Sequence, residues 1–330
     1  MTVVQESWGT RLSDAVRCAL REQNFARALQ LANQGDGHSR DLAQEFAFML
    51  RGLFGTLGVL FPLLERCASE LASDERAAAA AERSDVLQAL CRGLQETAPP
   101  QPSAPAALAA LCARAQARLL ADQRGRADAV IAALERADAP TALTQLDEKD
   151  AAYRAPHDAL VRFMAQSFAW VHKHFGEAGL TRFHLETAEG QRAGFLKWER
   201  LSPAEFAATT AFLLKQHLGQ VRVHEGAETF TIEQSPCGSG GRLLQQGAYH
   251  GPGALPYATG PAPLTFGRAK LPVYCTHCAI WNGLATLRWF GRAQWVFDDA
   301  ARPDGGCRLQ IYKTHSTPED YVRMLTVGTE

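Results

Sequence analysis

The hydrophobic pattern of this 330-residue chain changes its period close to Gly219. Before that glycine, apolar residues recur every three or four positions among Ala, Leu, Gln, Arg and Glu, which is typical of amphipathic helices. After it, the segments that begin at Gln220 and Glu228 alternate apolar and polar residues, which predicts a β-hairpin joined through Gly226. We therefore expect the chain to consist of a large helical part followed by a sheet.

Further elements are predicted beyond this hairpin. The run from Ala279 to Phe290 predicts a helix, and the segments from Gln294 and Cys307 predict a second hairpin around a turn at Arg302. An antiparallel sheet of about four strands with helices on one face satisfies this ββαββ order. The expected fold class is α+β, with the helical N-terminal part packed on the C-terminal antiparallel sheet unit.

Proline divides the helical part. The segment 97–106, T-A-P-P-Q-P-S-A-P-A, cannot continue a helix because its prolines lack a backbone donor. The predicted division is a helical domain 1–98, a Pro/Ala-rich linker 99–106, a second helical part 107–218 and an antiparallel α+β unit 219–330.

Composition excludes several classes of partner. The formal net charge is −1 and 21% of residues are charged, so no basic face for nucleic acid or an anionic membrane is expected. No basic segment precedes an apolar run at the N-terminus, which predicts a cytoplasmic protein without a signal peptide. The apolar stretch 46–64 contains Arg51, three glycines and Pro62, and these favour a buried core helix, kinked or ended near Pro62, over a membrane span. Homo-oligomerisation is left open.

Four of the eight cysteines fall in the predicted sheet unit. These are Cys237, Cys275, Cys278 and Cys307. The two thiols of a C-x-x-C motif can bind one tetrahedral metal, and the other two cysteines, or His277 or His250 in place of one, are candidates for the remaining ligands. Thiolate ligands favour zinc, with iron as an alternative. The other cysteines lie singly on apolar helical faces and are expected to be small buried hydrophobes: Cys18, Cys67, Cys91 and Cys112.

The same C-x-x-C motif also permits thiol redox chemistry. A helix is predicted to begin at or just after Cys278, and His277 lies between the two thiols. Helix N–H groups and a nearby cation lower the pKa of a thiol, and the motif resembles that of thioredoxin-fold thiol oxidases. No βαβ unit with a parallel sheet is predicted around it, which argues against this reading.

A glycine-rich stretch surrounds the first cysteine of this group. Gly238, Gly240 and Gly241 can turn the backbone so that successive N–H groups point to one place, and Arg242 adds a planar fork suited to a carboxylate. The predicted substrate-binding residues are Ser239, Gly240, Gly241 and Arg242. The alternative is a turn whose arginine faces solvent. The stretch lacks the lysine and Ser/Thr ending of a P-loop, so nucleotide binding is rejected.

Three residues are the candidates for catalysis. His157 and Asp158 are expected to begin a strongly amphipathic helix, and a helix N-terminus favours the neutral imidazole that a general base or ligand needs. A surface capping turn is the alternative for this pair. His277, between the two thiols of the C-x-x-C motif, is the third candidate for moving a proton.

Three motifs together resemble an uncharacterised family of bacterial proteins. They are P-C-G-S-G-G-R-L from Pro236, L-P-V-Y-C-T-H-C-A from Leu271 and C-R-L-Q-I-Y-K from Cys307, and the likeness extends from Asp41 onward. The C-terminal unit is also faintly similar to the four-vinyl-reductase domain and to the L-2-amino-thiazoline-4-carboxylic acid hydrolase family. Either resemblance implies a small polar ligand. The long helical part and the C-G-S-G-G-R loop depart from both families, so neither activity is carried over.

Three classes of function follow from these patterns. The first is a metal-thiolate enzyme, with zinc, that acts on a small carboxylate-bearing molecule by hydrolase- or lyase-type chemistry. The second is a zinc-stabilised protein that binds a small molecule or a partner, and the third is a C-x-x-C thiol-redox protein. Four cysteine ligands would favour the second class, whereas three ligands and an open position would favour catalysis.

Overall fold

The helical and alternating patterns form the expected elements in the computed structural model, which describes residues 4–37, 39–97 and 105–326. The helices are α1 (Leu12–Arg21), α2 (Phe25–Gln34), α3 (Ala47–Glu70), α4 (Ser73–Leu94), α5 (Pro105–Glu135), α6 (Ala139–Glu199), α7 (Pro203–Gln216), α8 (Gly240–Gln245), α9 (Thr276–Ala279), α10 (Ala285–Phe290) and α11 (Glu319–Thr326). The strands are β1 (Val221–Glu225), β2 (Thr229–Gln234), β3 (Tyr257–Thr259), β4 (Lys270–Pro272), β5 (Val296–Asp299) and β6 (Cys307–Tyr312). The expected linker 99–106 lies outside the described residues as far as position 104, and α5 begins at Pro105.

The apolar helix α3 continues through its proline. Pro62 lies inside this largely buried helix, which ends only at Glu70; of the two alternatives, a kink or an end near Pro62, the end is wrong. Burial of Leu60, Phe61 and Leu64 around the proline stabilises the helix and offsets the one missing donor. Among the described residues, one stretch, Leu42–Glu70, is long and apolar enough to cross a membrane by length and composition. The core helix of a soluble protein passes the same test, and 56% of its most apolar window is buried in the fold.

The long helix α6 carries the pair expected at a helix start. It begins after Asp138, whose side chain accepts a hydrogen bond from the Thr141 N–H, and it passes through Pro156 without ending. His157 and Asp158 therefore lie within the helix, and the prediction that they begin one is wrong. Proline has a helical φ and costs one hydrogen bond here, which its burial offsets. A break follows at Gly176, where φ is 63°.

The two predicted hairpins form one antiparallel sheet. Its strand order is β1-β2-β6-β5, so the inner strands β2 and β6 join the first hairpin to the second. The pairing of β2 with β6 places Gln234 opposite Cys307. Helix α7 packs on the sheet, where Phe206 and Phe230 belong to the same hydrophobic core. The α+β fold and the packing of helices on the sheet are confirmed.

The glycine- and proline-rich connection between the hairpins is more ordered than its composition suggests. It contains the short helix α8 and a separate two-stranded sheet of β3 and β4. The helix expected from Ala279 begins earlier, at Thr276, and a π-helical turn, Ile280–Leu284, separates α9 from α10. This wide turn follows the C-x-x-C motif directly.

One hydrophobic core spans the predicted segments. It contains Leu57 of α3, Leu111 of α5, Phe168 of α6 and Trp281 of the π-helical turn. The segments 1–98, 107–218 and 219–330 thus share buried contacts. The C-x-x-C helix is fixed against the helical part by this shared core.

Candidate functional site

The four cysteines of the sheet unit lie near enough to one another to influence each other's ionisation. Burial and the nearby Cys237 and Cys307 thiols raise the pKa of Cys275 well above its usual value. Burial, followed by the thiols of Cys275, Cys307 and Cys237, does the same to the pKa of Cys278. Because these sulfur atoms act on one another through a poorly solvated region, we treat the four residues as one thiol cluster.

Backbone packing holds the glycine-rich loop against this cluster. The Cys237 N–H donates to the carbonyl of Gly305 at 2.9 Å, in the turn that leads into β6. A Cβ atom on Gly241 would lie 1.9 Å from the Gly305 oxygen, and one on Gly240 would lie 2.8 Å from the Cys275 sulfur. These two glycines are therefore required for close approach of the loop to its neighbours. Their predicted role in binding substrate stays a prediction.

A histidine and a serine contact the thiols directly. The Cys278 sulfur lies 3.4 Å from Nε2 of His277, and the Cys237 sulfur lies 3.5 Å from the Ser239 hydroxyl oxygen. Nδ1 of His277 contacts the carbonyl of Tyr274, which can only accept, so this nitrogen carries the hydrogen. Burial lowers the pKa of His277 to about 4. The neutral imidazole thus presents the lone pair of Nε2 to the Cys278 thiol.

The predicted pair His157 and Asp158 belongs to a chain of three hydrogen-bonded side chains. Nδ1 of His157 lies 2.9 Å from a carboxylate oxygen of Asp158, and its Nε2 lies 2.8 Å from Nδ1 of His217. We call Asp158, His157 and His217 the histidine relay. His157 is completely buried, and this burial lowers its pKa despite the neighbouring carboxylate. The pKa of His217 is lowered further, by burial and then by His157 and His277.

Sequence reasoning missed His217. It stands at the C-terminal end of α7, 60 residues from His157, and no motif surrounds it. The only hint in the sequence was its position between a predicted helix and the predicted strand at Gln220. In an α+β fold, the ends of helices and strands meet at such connections. His217 also connects the two parts of the site, because a Cβ atom on Gly238, next to Cys237, would lie 2.0 Å from its carbonyl oxygen.

Arg242 joins the glycine-rich loop to the histidine relay. Its Nη2 donates to the carbonyls of His217 at 2.9 Å and Leu218 at 3.3 Å, and its Nε donates to that of Gly238 at 3.1 Å. Nε also lies 3.6 Å from a carboxylate oxygen of Asp158. Two of the three guanidinium nitrogens are therefore used inside the protein. The predicted contact of Arg242 with a substrate stays a prediction.

A buried histidine ties the C-x-x-C helix to α6. Nε2 of His184 lies 2.8 Å from the Thr276 hydroxyl oxygen, and that hydroxyl donates to the carbonyl of Val273 at 2.7 Å. His184 therefore carries its hydrogen on Nε2, and its buried Nδ1 has no partner within the described ranges. This contact fixes the first turn of α9 between Cys275 and Cys278.

The remaining cysteines lie far from these contacts along the chain. Cys67, Cys91 and Cys112 are buried in the helical core, as expected. Cys18 is exposed on α1, so the expectation that it is buried is wrong, because its position faces away from the apolar side of that helix. His250, the alternative ligand, is exposed beyond α8.

The types of donor residue favour a metal site, but their arrangement does not. Within residues 4–37, 39–97 and 105–326, no group of three or more His, Cys, Asp or Glu side chains is arranged to hold a metal ion. The chemistry of the thiol cluster nevertheless fits zinc, since four cysteines form one of its usual ligand sets. Cys237, Cys275, Cys278 and Cys307 are the residues that would hold it.

Comparison with known proteins adds no assignment. No protein-family model, curated protein or solved structure matches the chain. The fold and the site define an α+β protein with a partly buried thiol cluster beside a histidine relay, and function is inferred from that geometry.

Proposed function

We propose that the protein is a zinc-thiolate enzyme that acts on a small carboxylate-bearing molecule by hydrolase- or lyase-type chemistry. One observation carries the proposal: four cysteines from three segments of the chain lie near one another and next to three side chains that are hydrogen-bonded in series. Polar groups of this kind, poorly solvated and coupled to one another, are typical of functional sites.

The raised pKa values of the clustered thiols support the proposal of zinc. Burial raises the pKa of Cys275, Cys278 and Cys307, so the free thiols remain protonated at neutral pH. A divalent cation reverses this preference, because thiolates are its ligands and binding releases their protons. When bound with an open position, zinc would polarise a substrate oxygen or activate water.

The histidine relay supplies the proton acceptor. Asp158 accepts from Nδ1 of His157, so Nε2 of His157 accepts from Nδ1 of His217. The neutral His217 then has its lone pair on Nε2. A proton taken up there is stabilised through His157 by the Asp158 carboxylate, as in other sites where a third group orients the base.

Arg242 supplies the positive charge that would bind the carboxylate of the substrate. Its Nε and Nη2 are engaged with backbone carbonyls, so a carboxylate would be met by Nη1. The side chain keeps 16% of its surface exposed, in contrast to the completely buried His157. The Ser239 hydroxyl, beside Cys237, is an uncharged group that could add a hydrogen bond to the substrate.

Metal analysis tests the proposal. The full chain, purified without added metal, is expected to contain about one zinc per molecule. Cys275→Ser should lose this zinc, whereas Cys18→Ser, which changes an exposed thiol outside the cluster, should keep it. Protein without metal, whose four cluster thiols are all alkylated in the native state, would overturn the proposal and make the C-x-x-C redox function the first choice.

The four-thiol composition of the cluster favours a second candidate, a zinc-stabilised binding protein. Four sulfur ligands close a tetrahedral site, whereas catalysis needs an open position. X-ray absorption at the zinc edge distinguishes the two. Four sulfur neighbours would support the binding protein, and three sulfurs with one lighter atom would support the enzyme.

A further inference from the structure

The helical part contains a cavity that shares no lining residue with the thiol cluster. It has a volume of about 240 Å³ and lies between α3, α4, α5 and α6. The cavity is partly open to solvent, so a small molecule can enter it without unfolding of the helices. Most of its wall is apolar, formed by Phe61, Leu64, Val86, Leu87, Leu108, Phe163 and Trp170.

Trp170 provides an unused hydrogen-bond donor in this wall. Its side chain is buried, with 5% of its surface exposed, and its indole N–H has no partner within the part of the chain that is described. A buried N–H group without an acceptor is unusual in a folded protein. The Ser167 hydroxyl, also in the wall, already donates to the carbonyl of Phe163 at 2.9 Å. Among the buried polar side-chain atoms of the described wall residues, the indole nitrogen is the one without a hydrogen-bond partner.

The charges in the wall balance one another. Nη2 of Arg83 donates to a carboxylate oxygen of Glu65 at 2.6 Å, and its Nη1 donates to the carbonyl of Leu64 at 3.3 Å. The guanidinium carbon lies 5.6 Å from the centre of the Trp170 ring. A charged ligand would gain little here, because Arg83 is already neutralised and Glu65 would repel an anion. The wall suits a neutral molecule.

We propose that this cavity binds a neutral, mainly apolar small molecule with one hydrogen-bond acceptor, whose oxygen accepts from the Trp170 N–H. An apolar cavity of about 150 Å³ is enough for benzene, so this one has room for an aromatic ring with a short substituent. Aryl ketones have the required shape and acceptor. The proposal uses no residue of the thiol cluster or of the histidine relay, so it stands or falls separately from the proposed enzyme.

Two matched probes isolate the hydrogen bond. Propiophenone carries a carbonyl oxygen, and 2-phenyl-1-butene has a methylene group in its place, so the two molecules have nearly the same shape. Both are titrated into the full chain labelled with ¹⁵N in its tryptophan side chains. We expect both to bind, and we expect one indole N–H resonance to move downfield with the ketone only. Failure of both molecules to show saturable binding would overturn the proposal.

The two probes also differ in hydration, which affects their affinities in every variant alike. The ratio of the propiophenone affinity to the 2-phenyl-1-butene affinity is therefore compared between variants. Trp170→Phe is expected to shift the ratio by about five- to tenfold against the ketone, the effect of one lost hydrogen bond. Trp281→Phe is the matched control, since the Trp281 N–H is also buried without a partner in the described chain but lies outside this cavity. A ratio that Trp170→Phe leaves unchanged would overturn the proposal. If that variant fails to fold, the wild-type comparison of the two probes still decides.

Discussion

Nε2 of His157 and Nδ1 of His217 lie 2.8 Å apart, and the neighbouring Asp158 determines which of them carries the hydrogen. Burial alone would raise the pKa of Asp158, but the hydrogen bond from His157 and the charge of Arg242 hold this pKa below its usual value. The ionised carboxylate can only accept, so His157 is protonated on Nδ1. His217 must then donate from its own Nδ1.

This reasoning predicts the tautomers of two histidines. Both His157 and His217 should carry their hydrogen on Nδ1, and ¹H–¹⁵N correlation of the imidazoles near neutral pH measures this directly. Asp158→Asn should relax the preference, because an amide can donate as well as accept. Asp147→Asn, at an exposed carboxylate of the same helix, serves as the control. Hydrogen on Nε2 of His157 in the wild type would contradict the relay.

Arg242→Ala is expected to lower the free energy of unfolding. The guanidinium satisfies three backbone carbonyls around the relay, and losing hydrogen bonds from a charged group should cost about 2–3 kcal/mol. Arg242→Lys should restore only part of this, since an ammonium group lacks the planar fork. Urea unfolding measures the effect, with Arg162→Ala at an exposed contact as the control. Equal stability of Arg242→Ala and the wild type would show that the carbonyls do not depend on it.

Two glycine substitutions should have opposite effects. Gly241→Ala would place a Cβ atom 1.9 Å from the Gly305 oxygen, so the loop must move and the protein should lose about 3 kcal/mol or more. Gly52→Ala, in α3, meets nothing within 4 Å and should stabilise the helix by up to about 1 kcal/mol. Thermal unfolding compares the two. A harmless Gly241→Ala would mean that the loop does not pack closely against the turn at Gly305.

His184 should make stability depend on pH. Burial, followed by the effect of His277, lowers its pKa well below the usual value, so the folded chain leaves this imidazole neutral where the unfolded chain protonates it. Its contribution is complete above about pH 6.5 and is lost as the pH falls from there to the folded-state pKa. His184→Gln should reduce the slope of stability against pH by up to about 1.4 kcal/mol per pH unit. Urea unfolding between pH 7.5 and 5 tests this, with His250→Gln, at an exposed histidine, as the control.

The sequence predicted the elements whose cause is local. Strict alternation around Gly226 determines the first hairpin, and the turn at Arg302 determines the second. Because Cys237 follows one inner strand and Cys307 begins the other, their approach was predictable once the hairpins pair. That these two cysteines lie near the C-x-x-C motif could be inferred only from the shared residue type. In the fold, the packing of α9 brings the motif to them.

The histidine relay could not be predicted in the same way. His157 reaches His217 only because α6 continues through Pro156 and because α7 ends beside it, and both facts depend on packing rather than on local sequence. The two-stranded sheet of β3 and β4 was missed for a related reason. Its strands have three residues each, too few for an alternating pattern to be recognised.

The π-helical turn after the C-x-x-C motif fixes the number of residues between Cys278 and Gln294. The carbonyl of Asn282, within this turn, accepts from the N–H groups of Gln294 and Trp295 at 3.0 and 3.2 Å, just before β5. Deleting one residue would return the turn to α geometry and rotate α9 by about 100° relative to α10. Cys278 would then face a different part of the interior, and the N–H groups of Gln294 and Trp295 would lose the Asn282 carbonyl. Relatives that keep this site are expected to vary in side chains but to show no insertion or deletion between Cys278 and Gln294.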